Sequence, residues 1–162
     1  MSTIKLKMSL ISKPQLDLDI YETKFILPED ISALGESMLD AFSGTPDYIG
    51  ETLEELTEEI SDVVIGGIFP LIKEASYLIE IEGTPIAAIM INLYQGEPLV
   101  SEIFTTKPYL GKGLASFLLR KSIHTIYNMG YKRLFLYVHP NNTRAIKLYE
   151  KIGFSFDSEN IH

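Results

Sequence analysis

The segment Lys107-Pro108-Tyr109-Leu110-Gly111-Lys112-Gly113-Leu114-Ala115 joins an apolar, strand-like run to a long helical pattern through two closely spaced glycines. Without side chains at Gly111 and Gly113, backbone N–H groups can converge on an anion, at the point where a helix N-terminus adds partial positive charge. Lys112 adds to that field, and the chemistry suits a pyrophosphate. A glycine pair before a helix also serves as a plain connector, so the turn alone leaves both readings open. Its spacing is not that of a phosphate-binding loop, which needs four residues between its first glycine and a Gly-Lys-Ser/Thr end, nor is it the GxGxxG of dinucleotide sites.

A second constellation lies in 142–154. Asn142 is a good helix N-cap and Gly153 a good stop. At 100° per residue Asn142, Ala145 and Tyr149 share one side of the helix, while Arg144, Lys147 and Lys151 share the other. The first line is about 10 Å long at the helical rise, enough to follow an extended ligand arm. Core packing of Ala145 and Tyr149 is the competing reading.

These groups need a scaffold. The runs 77–82, 85–94 and 98–105, parted by Gly83-Thr84 and Gln95-Gly96, predict an antiparallel meander. Helix 113–129, strand 133–138, helix 143–151 and a strand from Phe154 continue as an alternating βαβαβ pattern. Upstream, Ile31, Leu34, Met38, Ala41 and Phe42 recur at helical spacing after Pro28-Glu29-Asp30. Over 51–64, Leu53, Leu56, Ile60 and Val63 form a second stripe, with Glu54, Glu55, Glu58, Glu59 and Asp62 on what reads as a solvated face.

The chain opens with Ile4, Leu6, Met8 and Leu10 alternating with Lys5 and Lys7, followed by Leu16, Leu18 and Ile20 alternating with Asp17 and Asp19. The pattern predicts a hairpin over 1–20 in which Lys7 faces Asp19. Tyr21 to Leu27 competes as the first core strand. The expected fold class is mixed α/β (α+β), as a single domain over 1–162.

The chain of 162 residues has no cysteine, which removes disulfides, thiolate nucleophiles and cysteine metal sites. No apolar h-region opens it, and its longest apolar stretch, 63–72, is too short to span a bilayer, so a cytoplasmic protein without a membrane partner is expected. The net charge of −8 is divided: residues 1–100 hold 18 acids against five lysines (−13), and 101–162 hold nine bases against four acids (+5). A basic C-terminal part suits a phosphorylated ligand and an acidic N-terminal part a cation, whereas overall acidity weighs against nucleic acid.

Taken together, the Gly111–Ala115 turn and the Asn142…Ala145…Tyr149…Gly153-Phe154 spacing resemble the GCN5-related N-acetyltransferase (GNAT) superfamily, over about 21 to 156. The family's turn reads Gln/Arg-x-x-Gly-x-Gly/Ala. Gly113 and Ala115 match it, whereas Leu110 departs from it, with Lys112 as a compensating charge. The resemblance implies a mostly antiparallel central sheet flanked by helices and splayed between the family's fourth and fifth strands, here 98–105 and 133–138. It implies that Ile103, Phe104 and Thr105 offer backbone hydrogen bonds to the pantetheine arm of acetyl-CoA, and that Leu110, Gly111, Lys112, Gly113, Leu114 and Ala115 hold its pyrophosphate. It further implies that Asn142 touches the cofactor arm and that Tyr149 protonates the departing thiolate.

An amine acceptor must lose a proton before it attacks a thioester. Glu102 is the foremost candidate base, because it interrupts an apolar strand and shares a face with Val100 and Phe104, where burial would raise its pKa. An exposed or salt-bridged Glu102 is the alternative. His139 is a second candidate, although His-Pro before a turn is commonly structural, and His124 lies on a polar helix face. The histidines have no metal-ligand spacing, so no metal is expected. The loop Ser43-Gly44-Thr45-Pro46-Asp47-Tyr48 would shape the acceptor site, with Asp47 and nearby glutamates suiting a cationic amine such as a polyamine, an aminoglycoside or a peptide N-terminus.

The leading expectation is therefore acetyl transfer from acetyl-CoA to a primary amine by direct attack, with no activated Ser or Cys to carry the acyl group. A non-catalytic acyl-CoA-binding regulatory module is the alternative that Leu110 suggests, and a nucleotide-binding protein a third. The resemblance calls for two closing strands where about eight residues follow Phe154, so the N-terminal hairpin or a homodimer partner is expected to cover an open edge.

Overall fold

The period-two runs in the middle of the chain form a sheet in the computed structural model, which describes residues 3–10, 20–67 and 69–157. Strands β1 (Ile4–Ser9), β2 (Lys24–Phe25), β3 (Tyr77–Ile81), β4 (Thr84–Tyr94), β5 (Glu97–Thr105), β6 (Arg133–Val138) and β7 (Ser155–Phe156) lie in the order β2-β3-β4-β5-β6-β1-β7. As expected, β3, β4 and β5 are an antiparallel meander. Its turns carry positive φ at two residues each, Glu82 (49°) with Gly83 (80°) and Gln95 (51°) with Gly96 (80°). Two-residue turns of that hand match the right-handed twist of the strands they join.

Helices cover both faces. Leu34 and Met38 of α1 (Ile31–Phe42), with Leu56 and Ile60 of α2 (Leu53–Ile65), pack on Leu78, Ala88, Met90 and Phe104. On the other face Leu118, Leu119 and Ile123 of α3 (Leu114–Asn128) meet Ala87, Ile89 and Ile91, with α4 (Thr143–Ile152) beside them. The start of α2 is fixed locally: Thr52 Oγ1 accepts the Glu55 N–H at 3.1 Å and the Glu55 carboxylate accepts the Thr52 N–H at 3.0 Å. This reciprocal cap satisfies two otherwise orphaned donors and sets the direction of the helix.

The two ends of the sheet differ from the sequence expectation. Of the run 21–27, only Lys24–Phe25 is strand, on the outer edge of β3. The N-terminal strand lies within the sheet. β1 pairs antiparallel with β6 from Ile4↔Val138 to Ser9↔Arg133, and its other edge takes β7 through Leu6↔Phe156 and Lys7↔Ser155. The intended second arm falls mostly in 11–19, outside the described residues. Lys7 meets Asp157 at 3.4 Å, and Lys5 approaches the same carboxylate at 3.3 Å. Alternation fixes which face of a strand is buried but not which neighbour it joins, and β6 offers a full-length antiparallel edge. β1 thereby covers the edge beside β6, which the N-terminal segment or a partner subunit had been expected to cover.

The feature that makes a site is an interruption. β5 and β6 pair in parallel only at Leu99↔Phe135 and Val100↔Leu136. Past those residues the ladder stops and the strands diverge, giving the expected splay.

Candidate active site

The divergence of β5 and β6 opens a cleft of about 800 Å³ that reaches both faces of the sheet. The loop after α1, the residues before and within α2, the end of β5, the Leu110–Ala115 turn and one side of α4 form its walls. The predicted cofactor-binding and catalytic residues line it, apart from Lys112, whose side chain is exposed, and the second candidate base His139. The contribution of Lys112 is its backbone: its carbonyl accepts a 2.8 Å hydrogen bond from Tyr21, whose ring meets Phe117 edge-on at 5.2 Å.

The turn has a conformation that only glycine adopts readily. Gly111 (φ 79°) and Gly113 (φ 78°) occupy the left-handed region, where a Cβ is strained, and Gly113 is the residue from which α3 starts. A Cβ on either would meet no atom within 4 Å, so conformation demands these glycines while the space above them is open. The first N–H groups of α3 have no intrahelical acceptors, and Leu114, Ala115 and Ser116 line the cleft. Thr105 adds an observation of another kind: its buried Oγ1 has no hydrogen-bond partner among the described residues. A buried, unpaired hydroxyl beside unpaired strand backbone and a helix N-terminus fits a ligand carrying amide and phosphate groups, as coenzyme A does.

A bulge aims Glu102. The β4–β5 register steps from Met90↔Glu102 to Ile91↔Val100, so Ser101 is an extra residue. The expectation that Glu102 shares a face with both Val100 and Phe104 is therefore corrected. Val100 packs toward α3 and Phe104 toward α1 and α2. Glu102 follows Phe104, because an added residue reverses the alternation across it. The bulge is anchored: Ser101 Oγ donates to Asn92 Oδ1 at 2.7 Å, and Asn92 Nδ2 donates to the carbonyls of Val63 (2.9 Å) and Phe69 (2.8 Å). Burial, a hydrogen bond with Glu59 and the charges of Glu59 and Glu51 push the Glu102 carboxyl well above the usual carboxylate range.

From the opposite side, α4 presents Tyr149, 7% exposed, against Phe154. Burial, and after it the charge of Asp47, raise its pKa above that of an ordinary phenol, so it stays protonated across the physiological range. Asn142 is the predicted cap, its Oδ1 accepting the Ala145 N–H at 3.2 Å, and its Nδ2 donates to Asp47 Oδ2. Both ends of the amide are thus engaged by protein, which makes Asn142 a tie between the loop after α1 and the start of α4. His139 lies outside the cleft, where its Nδ1 accepts the Asn141 N–H at 3.0 Å in a local turn. Among the described residues no group of His, Cys, Asp or Glu is placed to hold a metal, and no helix is long and apolar enough to cross a membrane.

Sequence reasoning missed Glu59, assigned to a solvated face, and the Asn92–Ser101 anchor. The signals were there in part. Glu59 is three residues from Leu56 and next to Ile60, on the border of the apolar stripe, and Asn92 interrupts an otherwise apolar strand.

Fold and cleft together define an acyltransferase-like α/β scaffold with a cofactor-sized opening between parallel strands. Residues 44–154 match the Acetyltransferase (GNAT) family, and the chain belongs to that family. It is 36% identical over 64 residues to a mycothiol acetyltransferase of Corynebacterium glutamicum, covering 38% of this chain and 22% of that protein. It is 35% identical over 65 residues to a probable spermine N(1)-acetyltransferase of Bacillus subtilis subsp. natto, covering 40% and 43%. The chain thus spans less than half the length of either relative. In structure it resembles a GCN5-related N-acetyltransferase from Sphaerobacter thermophilus, with TM-score 0.72, 18% identity, and coverage of 96% and 48%. It also resembles the PaiA N-acetyltransferase from Thermoplasma acidophilum in complex with coenzyme A, with TM-score 0.63, 20% identity, and coverage of 84% and 90%.

Proposed function

We propose that the chain is an N-acetyltransferase that moves an acetyl group from acetyl-CoA to a primary amine by direct attack. The observation that carries the reading is that Tyr149 of α4 and Glu102 of β5, which face opposite sides of the sheet, open into the same cleft as the glycine turn. Bound acetyl-CoA would supply the activated thioester. The backbone of Ile103, Phe104 and Thr105, and that of Leu110, Gly111, Lys112, Gly113, Leu114 and Ala115, would hold it. Because this cradle is made of backbone groups, Leu110 in place of a Gln or Arg removes no essential donor. Asn142 would act by fixing the start of α4 rather than by contact through its amide.

In this reading Glu102 takes a proton from the acceptor ammonium, freeing the nitrogen lone pair, and Tyr149 gives its proton to the departing sulfur. Asp47, Glu51 and Glu59 share the cleft with Glu102 and favour a cationic acceptor, the property for which two of the relatives, named for spermine, offer an analogy. The test is release of free thiol from acetyl-CoA over a panel of amines, run beside calorimetric binding of coenzyme A. Thiol release with one of the amines supports the reading, whereas tight coenzyme A binding without turnover on any of them would favour a non-catalytic binding module.

A further inference from the structure

The acidic side of the cleft contains a pair of carboxyl groups that the reaction as read so far does not explain. Glu102 alone would serve as a base, yet Glu59 of α2 lines the same cleft, one turn before the Val63 carbonyl that Asn92 ties to Ser101, the neighbour of Glu102. Their meeting is not a local accident. It needs the extra residue Ser101 to turn Glu102 toward α2, and it needs the C-terminal end of α2 at a fixed height over β5. Asn92 ties both: it accepts from Ser101 and donates to the last turn of α2 at Val63, from a position 2% exposed. Two carboxylates brought together this way repel one another until one is protonated, after which the O–H of one donates to the other.

We propose that Glu59 is a positioning residue for the acceptor's deprotonation, accepting a hydrogen bond from Glu102 once that carboxyl has taken the proton, with the Asn92–Ser101 contact fixing the pair. The inference rests on the acetyltransfer reading. In the step, an N–H bond of the acceptor ammonium breaks, its electron pair stays on nitrogen for attack, and an O–H bond forms on Glu102. That O–H points at the Glu59 carboxylate, and the proton later leaves to water through the open cleft. The other titratable or charged groups lining the space among the described residues are Glu51 before α2, Asp47 in the loop, Tyr109 after β5, Tyr137 of β6, and Tyr149 and Arg144 of α4. Glu51 acts with Glu59 in favouring the protonated pair, and Arg144 is exposed to solvent, where its charge is screened.

The test reads the pair with and without turnover. Side-chain carboxyl resonances of ¹³C-labelled protein are titrated in wild type, Glu59→Gln, Ser101→Ala and the control Glu58→Gln, with Glu102 assigned through Glu102→Gln. In Glu59→Gln the Glu102 midpoint is expected about one pH unit lower, since a like charge and a proton acceptor are lost. The acid limb of kcat/KM against pH is expected to move with it. Ser101→Ala should shift the midpoint in the same direction by less, and Glu58→Gln should not shift it. Should Glu59→Gln not fold, Glu59→Asp is expected to give an intermediate midpoint. A folded Glu59→Gln or Glu59→Asp with the wild-type midpoint overturns the proposal, as does an equal shift in Glu58→Gln. A wild-type Glu102 midpoint in Ser101→Ala overturns the role of the anchor. Absence of thiol release by wild type on any amine would sink the acetyltransfer reading while the titration still reports on the pair, so the two failures are separable.

Discussion

Asn142 binds in two directions at once: its carbonyl oxygen caps α4 through Ala145, and its amide nitrogen donates to Asp47, 95 residues earlier in the chain. One side chain therefore connects the loop after α1 to the helix that carries Tyr149. The helix cap and the loop tie can be taken apart by substitution.

Asn142→Ala removes both and is expected to lower the unfolding free energy by about 1 kcal/mol through the lost cap. Asn142→Ser keeps an oxygen for the cap but is too short to hold Asp47. Thermal denaturation should place Asn142→Ser nearer wild type than Asn142→Ala, while both raise KM for the acceptor. If Asn142→Ser restored KM as well, the tie to Asp47 would have no part in holding the loop.

Tyr149→Phe removes a hydroxyl on the cleft and keeps the ring against Phe154, so the fold should lose little: a shift in unfolding free energy within about 0.5 kcal/mol is expected. Loss of the acid should reduce kcat about 10²-fold with coenzyme A affinity retained. Thiol release under conditions where chemistry is rate-limiting, together with calorimetry, checks this, and a wild-type kcat would remove Tyr149 from its role.

Gly113→Ala places a Cβ on a residue at φ 78°, with no steric contact to blame. The expected cost is about 1 kcal/mol of stability from the left-handed backbone alone. Relaxation of that backbone should also turn the α3 N–H groups away and weaken coenzyme A binding at least about tenfold, read as the ratio of dissociation constants.

Glu102 gives a pH signature in stability. Its folded-state pKa is raised above the unfolded value, so the folded protein binds this proton more tightly. Its stabilising effect is complete below the unfolded pKa and is lost as pH rises toward the folded one. Glu102→Gln, which cannot ionise, should therefore have a higher Tm than wild type at pH 8 and the same Tm near pH 4. Equal Tm differences at both values would mean that Glu102 is not ionised at a cost in the folded cleft.

The N-terminal strand can be weighed by a core truncation. Leu6, 2% exposed between β6 and β7, should cost about 3 kcal/mol as Leu6→Ala if β1 is an integral strand. A loss below about 1 kcal/mol in chemical denaturation would fit a peripheral segment instead.

Much of the donor side of the cleft was legible in the chain because its geometry is local. The helix from Asn142 to Gly153, the line from Asn142 to Tyr149 and the glycines at positive φ follow from rotations within a few residues, and the strand and helix periods locate the elements around them. The acceptor side was not legible, because it depends on pairings over long separations. The face on which Glu102 lies was set by one extra residue in the β4–β5 register, which no alternation pattern reveals. The partner of Glu102 came from α2, the partner of Asn142 from a loop in the first third of the chain, and the neighbours of β1 from β6 and β7. The sequence by itself determined which elements form and which faces they bury, since side-chain period and backbone conformation are properties of short segments. Tertiary structure alone decided which carboxyl meets which, because strand register and helix docking minimise the free energy of the whole sheet and its two cores at once.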